Sequence, residues 1–440
     1  MRKTYSGITR RSLLGGVVSG SVVALASTAQ VQASSQKLFS NLPQTTGNVN
    51  PFKLARDEDY WRQIGHFYTP TQGIVNLEHG YWGKMAKPVQ DIYLAATKRI
   101  NQQNSYYARK GYGTDHLLSV HRVAAALGVA DDEIVLTRNA TEAIHNLIRQ
   151  YRGLKKGESV LYADIDYPSF KNTMAWLQKS RGVTAVQLAL PSRATQQSLL
   201  SLYINAFDKY PNIKLMLVTH VSNQHGMVLP LKAIAAEARK RGIDLISDNA
   251  QSWGLIDYQL TDFDIDWAGF NLHKWIGAPV GVGALYMKRG SLHKIAPYPG
   301  ESDPENTRAS TRVHTATANF AAFVSIPAAL DFHEEITGKN KEARLRYLRS
   351  LWTDEAEAFE NIELLGGIDE ASKTGMASFR LRGKNSIADA TSLQQKIEKE
   401  FGIFTVIRKG LASGACVRIT PQVFNTPAHM EQLVSALAKL

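Results

Sequence analysis

The residues whose types and spacing could do chemistry converge on Lys274. It sits inside "FNLHKWIGAPVGVGALY" (270–286), an apolar, glycine-rich run with no acidic residue to pair with it. Removing an ammonium from water is costly unless it is paired or neutralised. Four other groups stand just past the ends of β-like runs. Asp248 closes "IDLISD", 26 residues before the lysine, and Gln251 follows it by three. Thr141 lies in "LTRNATEAIHNL", where a strand runs into a helix, and Tyr167 lies in "DIDYPSF".

A buried lysine has a covalent way out, a Schiff base with an aldehyde, and pyridoxal phosphate is a cofactor that forms one. That cofactor needs a carboxylate at its ring nitrogen, which Asp248 is placed to supply, and a donor at its phenolic oxygen, which suits Gln251. Its phosphate needs free N–H groups at a helix start together with a hydroxyl, as at Asn139-Ala140-Thr141. Its ring needs an apolar face, for which Tyr167 is available.

The elements that must position these groups alternate in type. "EIVLT" (133–137), "SVLYADI" (159–165), "VTAVQLAL" (183–190), "IKLMLVTHVS" (213–222), "IDLISD" (243–248), "IDWAGFNL" (265–272) and "GVGALYMK" (281–288) read as strands, several separated by amphipathic helical stretches such as 231–241. This is the pattern of βα units in a mostly parallel sheet covered on both faces. Ligand sites in such sheets lie outside the carboxyl ends of the strands. After about 320 the pattern becomes a smaller α+β unit, with a charged helix over 339–361 and the β-like runs "ASFRLRG", "FTVIR" and "ACVRIT".

The motifs "NLEHGYWGKMAKPV", "TRNATEAI", "DYPSF", "HVSNQHGMVLP", "SDNAQSWG", "HKWIGAPVGVG" and "VRITPQVFNTPAHM" together resemble the class V aminotransferases. These are fold-type I pyridoxal phosphate enzymes, and the isopenicillin N epimerase-like branch is the most similar. The resemblance spans roughly 75 to 435. It implies an α/β fold with a seven-stranded, mostly parallel sheet in a large domain (75–320) and a smaller α+β domain (321–440), preceded by a linker and N-terminal segment (34–74). It further implies that Lys274 carries the cofactor and moves protons, Asp248 pairs with the ring nitrogen, Gln251 binds the phenolic oxygen and Tyr167 stacks. Ala140 and Thr141 would bind phosphate with His273 nearby. Asn223 would face the cofactor, and Arg418 would grip the substrate carboxylate. Thr317, in "ATAN" where the family pattern has a glycine first, would reach the neighbouring site of a homodimer. His225 replaces a usual small residue and is read either as facing substrate or as lying outside the site. His79 and Trp82 either line the site or pack.

Removal of the α-proton opens transamination, epimerisation and β- or γ-elimination, and the same residues serve all three. Transamination of an amino acid or an amino-acid moiety is the leading expectation. An epimerase, a lyase, and modification of a siderophore side chain such as the glutamyl group of pyoverdine are the alternatives. Cysteine desulfuration is disfavoured, because Cys416 sits in the β-like "ACVRIT" rather than on a mobile loop. A silent binding protein is disfavoured because it would need no electron sink.

The first 33 residues read as a leader. "TRRSLL" (9–14) resembles a twin-arginine export signal, a short apolar run follows, and "VQA" (31–33) suits cleavage. The expected location is periplasmic, reached through the twin-arginine machinery without a stable membrane anchor. Losing Arg2, Lys3, Arg10 and Arg11 lowers the formal charge from +12 to +8, 47 basic against 39 acidic residues. No basic run with interleaved aromatics suggests nucleic acid. With one cysteine, the chain has no intramolecular disulfide.

Overall fold

The computed structural model describes residues 42–43, 49–303 and 308–440. The leader therefore lies outside the described residues, and among the described helices none is long and apolar enough to cross a membrane.

The large sheet has seven strands, in the order Ile134–Thr137, Gly283–Met287, Trp267–Asn271, Asp244–Asp248, Ile213–Thr219, Ser159–Ala163 and Thr184–Leu188. Ser159–Ala163, Trp267–Asn271 and Gly283–Met287 are buried at every position, as strands covered on both faces must be. The edge strand Thr184–Leu188 is mostly uncovered. All pairings are parallel except those of Gly283–Met287, which runs antiparallel to both neighbours. The reason lies in its connection. Residues 272–282 contain no crossover helix, and without one a chain cannot return in the parallel direction. That short return carries Lys274 across the carboxyl ends of the strands, close to Asp248, whose partners are Thr219 and Gly269.

The smaller sheet joins Val406–Arg408, Cys416–Ile419, Ala377–Leu381 and Ile362–Gly367 in antiparallel order, and accepts Arg193–Ala194 as a parallel edge. Helices Gly338–Ala356, Ile387–Phe401 and Pro427–Leu437 close a core around Leu348, Trp352, Phe379, Ile397 and Leu433.

Two regions are more ordered than the sequence suggested. The 34–74 segment contains the helices Pro51–Leu54 and Glu58–Gly65, which bury Leu54, Trp61 and Ile64. Ahead of the first large-sheet strand stand the long helices Lys87–Lys110 and Tyr112–Leu127. The first of these kinks at Asn104, whose backbone is left-handed (φ 50°).

Candidate active site

The strand ends frame a cleft of about 360 Å³ lined by Lys274, Asp248, Gln251, Tyr167, Thr141, Ala140, Asn223 and His273, among others. Eight of the ten residues named from sequence thus meet in one place, and Arg418 and Thr317 do not line it.

Lys274 follows the strand Trp267–Asn271. Burial pulls its ammonium down to about 7, the opposing attraction of Asp248 is next in size, and Arg418 and Arg408 add repulsion. An amine held there is about half uncharged at neutral pH, so a large fraction of it is nucleophilic. Asp248 is buried and accepts the Ala250 N–H on Oδ1 at 2.9 Å. Burial pushes its carboxyl up to about 6, so it ionises close to neutrality. Backbone approach to the lysine is close: a Cβ on Gly83 would lie 1.8 Å from the Lys274 carbonyl oxygen, and the Gly83 N–H donates to the His273 carbonyl at 2.7 Å. Glycine is the residue that permits this contact.

Gln251 is held at both ends of its amide. Its Oε1 accepts the Trp275 indole N–H at 2.9 Å, and its Nε2 donates to the Gly80 carbonyl at 2.8 Å. One amide hydrogen remains for a ligand. At the helix Ala140–Gln150, Asn139 caps by accepting the Glu142 N–H, and the Ala140 N–H donates to Asn271 Oδ1, each at 2.8 Å. Ala140 is therefore committed within the protein, and Thr141 is the helix-start residue left to meet an anion.

His273 Nδ1 lies 2.8 Å from the Val282 carbonyl, which can only accept, so Nδ1 carries the hydrogen and Nε2 is an acceptor. Burial lowers its pKa to about 4. It is thus neutral, and no cationic partner for a phosphate. Asn223 Oδ1 is buried and unpartnered. Tyr167 precedes helix Pro168–Arg181, stays 42% exposed, and meets Phe170 edge-on at 5.4 Å between ring centres.

Arg418 does not line the cleft itself but lies directly behind Gly80, which does. Its side chain is fully buried, with Nη1 donating to the Asn223 carbonyl at 2.7 Å and Nη2 donating to Glu78 at 2.7 and 2.8 Å. A substrate carboxylate would have to displace Glu78. Arg408, which the sequence reading passed over, lines the cleft instead. Its Nε has no partner and its Nη2 is 3.5 Å from Glu78. Burial, then repulsion from Arg418, lowers its pKa to about 10. A usable signal existed: Val406 pairs with Arg418 across two antiparallel strands, and Arg408, two residues on, shares that face.

The remaining candidates are readily placed. Thr317 is exposed, next to Ala316 in a left-handed conformation (φ 46°). His225 is buried, its Nε2 is unpartnered, and it does not line the cleft. His79 packs edge-on against Phe424, whereas Trp82 and Tyr81 stand exposed at the cleft mouth. Cys416 is fully buried, and burial pushes its thiol up to about 11, far from the thiolate a sulfur nucleophile needs.

Comparison with known proteins gives the family. The family model for aminotransferase class V matches residues 101–433. The chain belongs to the class V aminotransferase family. It is 23% identical over 385 residues to an isopenicillin N epimerase of Amycolatopsis lactamdurans, covering 83% of this chain and 95% of the relative. It is 26% identical over 393 residues to a cysteine desulfurase of Haloferax volcanii, covering 84% and 86%. Among solved structures, a C-DES mutant with glycine covalently linked to its PLP cofactor superposes with a TM-score of 0.74 at 19% identity, covering 85% of this chain and 99% of that one. The fold is that of fold-type I pyridoxal phosphate enzymes, and pyridoxal 5′-phosphate is the cofactor of this class V enzyme. The site fits it: an amine near neutrality faces a buried carboxylate, a helix start offers Thr141, and an orphaned Asn223 oxygen awaits a partner.

Proposed function

We propose that this enzyme binds an amino acid, or an amino-acid portion of a larger compound, and removes its α-proton as the first step of transamination. The observation that carries α-proton removal, the step shared with epimerisation, is Lys274, poised near pH 7 in a cleft beside Asp248. When bound, pyridoxal phosphate supplies an aldehyde to hold the amino group and a ring that accepts electrons from Cα. Asp248 would hold the ring nitrogen, Gln251 its phenolic oxygen, Thr141 the phosphate, and Tyr167 the exposed ring face. Lys274 Nζ takes the α-proton and returns it to a second carbon. Arg408 receives the substrate carboxylate, because Arg418 is occupied by Glu78 and instead holds the Asn223 carbonyl in place.

Epimerisation is a second reading, supported by the near full-length likeness to an isopenicillin N epimerase. Persulfide chemistry at Cys416 is unsupported by its burial and high pKa. Incubating the holoenzyme with an amino-acid panel in deuterium oxide separates the readings. Cα deuteration with appearance of a keto acid supports transamination. Deuteration with inversion and no keto acid supports epimerisation, and no Cα exchange with any amino acid overturns both.

We also read the enzyme as an exported homodimer. The exposed Thr317 and the exposed Tyr81, Trp82 and Val280 at the cleft support a second copy there. "TRRSLL" supports export in the folded, cofactor-loaded state. Replacing Arg10 and Arg11 with lysine would strand the protein in the cytosol, whereas unchanged fractionation contradicts the route. Sedimentation reads the oligomer, and a monomer at micromolar concentration contradicts the dimer.

A further inference from the structure

A second cavity, of about 130 Å³, lies between helix Gly338–Ala356 and the turn carrying Lys373 and Thr374. Its unusual member is Arg349. The residue is 8% exposed, its Nε is buried without a partner, and Glu370 and Asp354 act on it only through space. Among the described residues that Nε–H has no acceptor, which is costly for a buried charged group, and burial lowers the pKa of Arg349 to about 10.

The carboxylates that line the cavity, Glu370 and Asp354, bond groups other than Arg349. Lys373 Nζ donates to Glu370 at 2.6 Å, and Arg346 donates to Glu342 at 2.8 Å and to the Glu370 carbonyl at 2.7 Å. Asp354 accepts the Thr353 hydroxyl at 3.3 Å. Three basic side chains therefore line the cavity against two acidic ones, and the basic residue in deepest burial has no acceptor. The hydroxyls that line it are also spent, Ser350 donating to the Tyr347 carbonyl at 2.9 Å and Thr374 to the Gly226 carbonyl at 2.8 Å. The donors left for a ligand are those of Arg349 and the donors of Arg346 and Lys373 that these bonds do not use.

We infer that this cavity binds a small oxyanion of the phosphate or sulfate class, with the planar fork of Arg349 as its principal anchor and Arg346 and Lys373 beside it. The fork geometry suits two oxygens of one anion. Through Thr374 and Gly226 the bound anion sits behind the turn that carries Asn223 into the catalytic cleft.

The test is calorimetric titration of inorganic phosphate into holoenzyme whose cofactor has been fixed by borohydride, so that phosphate cannot enter the cleft. The wild type shows saturable binding, weakened at least about tenfold in Arg349→Met. Ser350→Asp, which puts a carboxylate into the cavity while keeping Arg349, weakens binding similarly without lowering the melting temperature, so a folding defect in Arg349→Met leaves the inference testable. Phosphate binding that never saturates, or that keeps wild-type affinity in Ser350→Asp, overturns the inference.

Discussion

At the scale of residues, the cleft is a set of groups whose ordinary charges are suppressed by burial. Lys274 and Asp248 stood out in the sequence because each type is rare in apolar surroundings, and the three-residue step from Asp248 to Gln251 and the 26-residue step to Lys274 are visible in one dimension. The Glu78–Arg418 pair was not, since its members stand 340 positions apart and meet only when the small sheet packs on the 75–80 segment. Two substitutions separate the arginines. Arg408→Gln raises KM for a carboxylate substrate by about tenfold or more while leaving the melting temperature nearly unchanged. Arg418→Gln instead removes the partner of a buried carboxylate and costs about 3 kcal/mol in denaturant unfolding. Equal effects on KM and stability in both variants would contradict the division of labour. Cys416→Ala keeps activity within about twofold, because the thiol is an inert packing group; abolished turnover would revive sulfur chemistry.

At the scale of elements, the strand pattern was readable because strands buried on both faces are nearly continuous apolar runs, while the antiparallel return of Gly283–Met287 depends on the missing crossover, which periodicity does not show. The return loop is braced from behind. Lys341, in helix Gly338–Ala356, donates to the Trp275 carbonyl at 2.7 Å, and its Nζ lies 2.9 Å from His333 Nδ1. Trp275 in turn holds Gln251. Burial lowers Lys341 to about 7, whereas the unfolded lysine stays protonated to about 10.4. Between those values the folded state binds fewer protons than the unfolded one, so stability rises with pH. Lys341→Met removes one proton from that dependence, flattening the slope between pH 7 and 10 by up to about 1.4 kcal/mol per pH unit. An unchanged slope in pH-resolved urea unfolding would show that Lys341 stays charged when folded. Gly83→Ala forces the approach segment off the Lys274 carbonyl and lowers cofactor affinity, read by equilibrium dialysis.

At the scale of the whole molecule, residues 49–74 are part of the folded body. Trp61 is 1% exposed and donates its indole N–H to the Leu54 carbonyl at 2.7 Å, and the buried Arg344 of helix Gly338–Ala356 bonds Ala55, Glu58 and Asn425. The eight-residue helix carries an apolar face of Tyr60, Trp61 and Ile64, but two such short helices after a polar, turn-rich stretch do not stand out as a packed element. Trp61→Ala therefore costs about 3–5 kcal/mol in unfolding free energy, although no atom of it lines the cleft. A loss under about 1 kcal/mol would mean that the segment is only loosely attached.

The most direct test of the central claim is borohydride reduction of the purified yellow holoenzyme followed by peptide mass mapping. The account predicts that the visible band disappears and that the reduced cofactor is found on the peptide containing Lys274, with none trapped in Lys274→Ala. Cofactor trapped on another lysine, or a wild-type protein that takes up no cofactor at all, would contradict it.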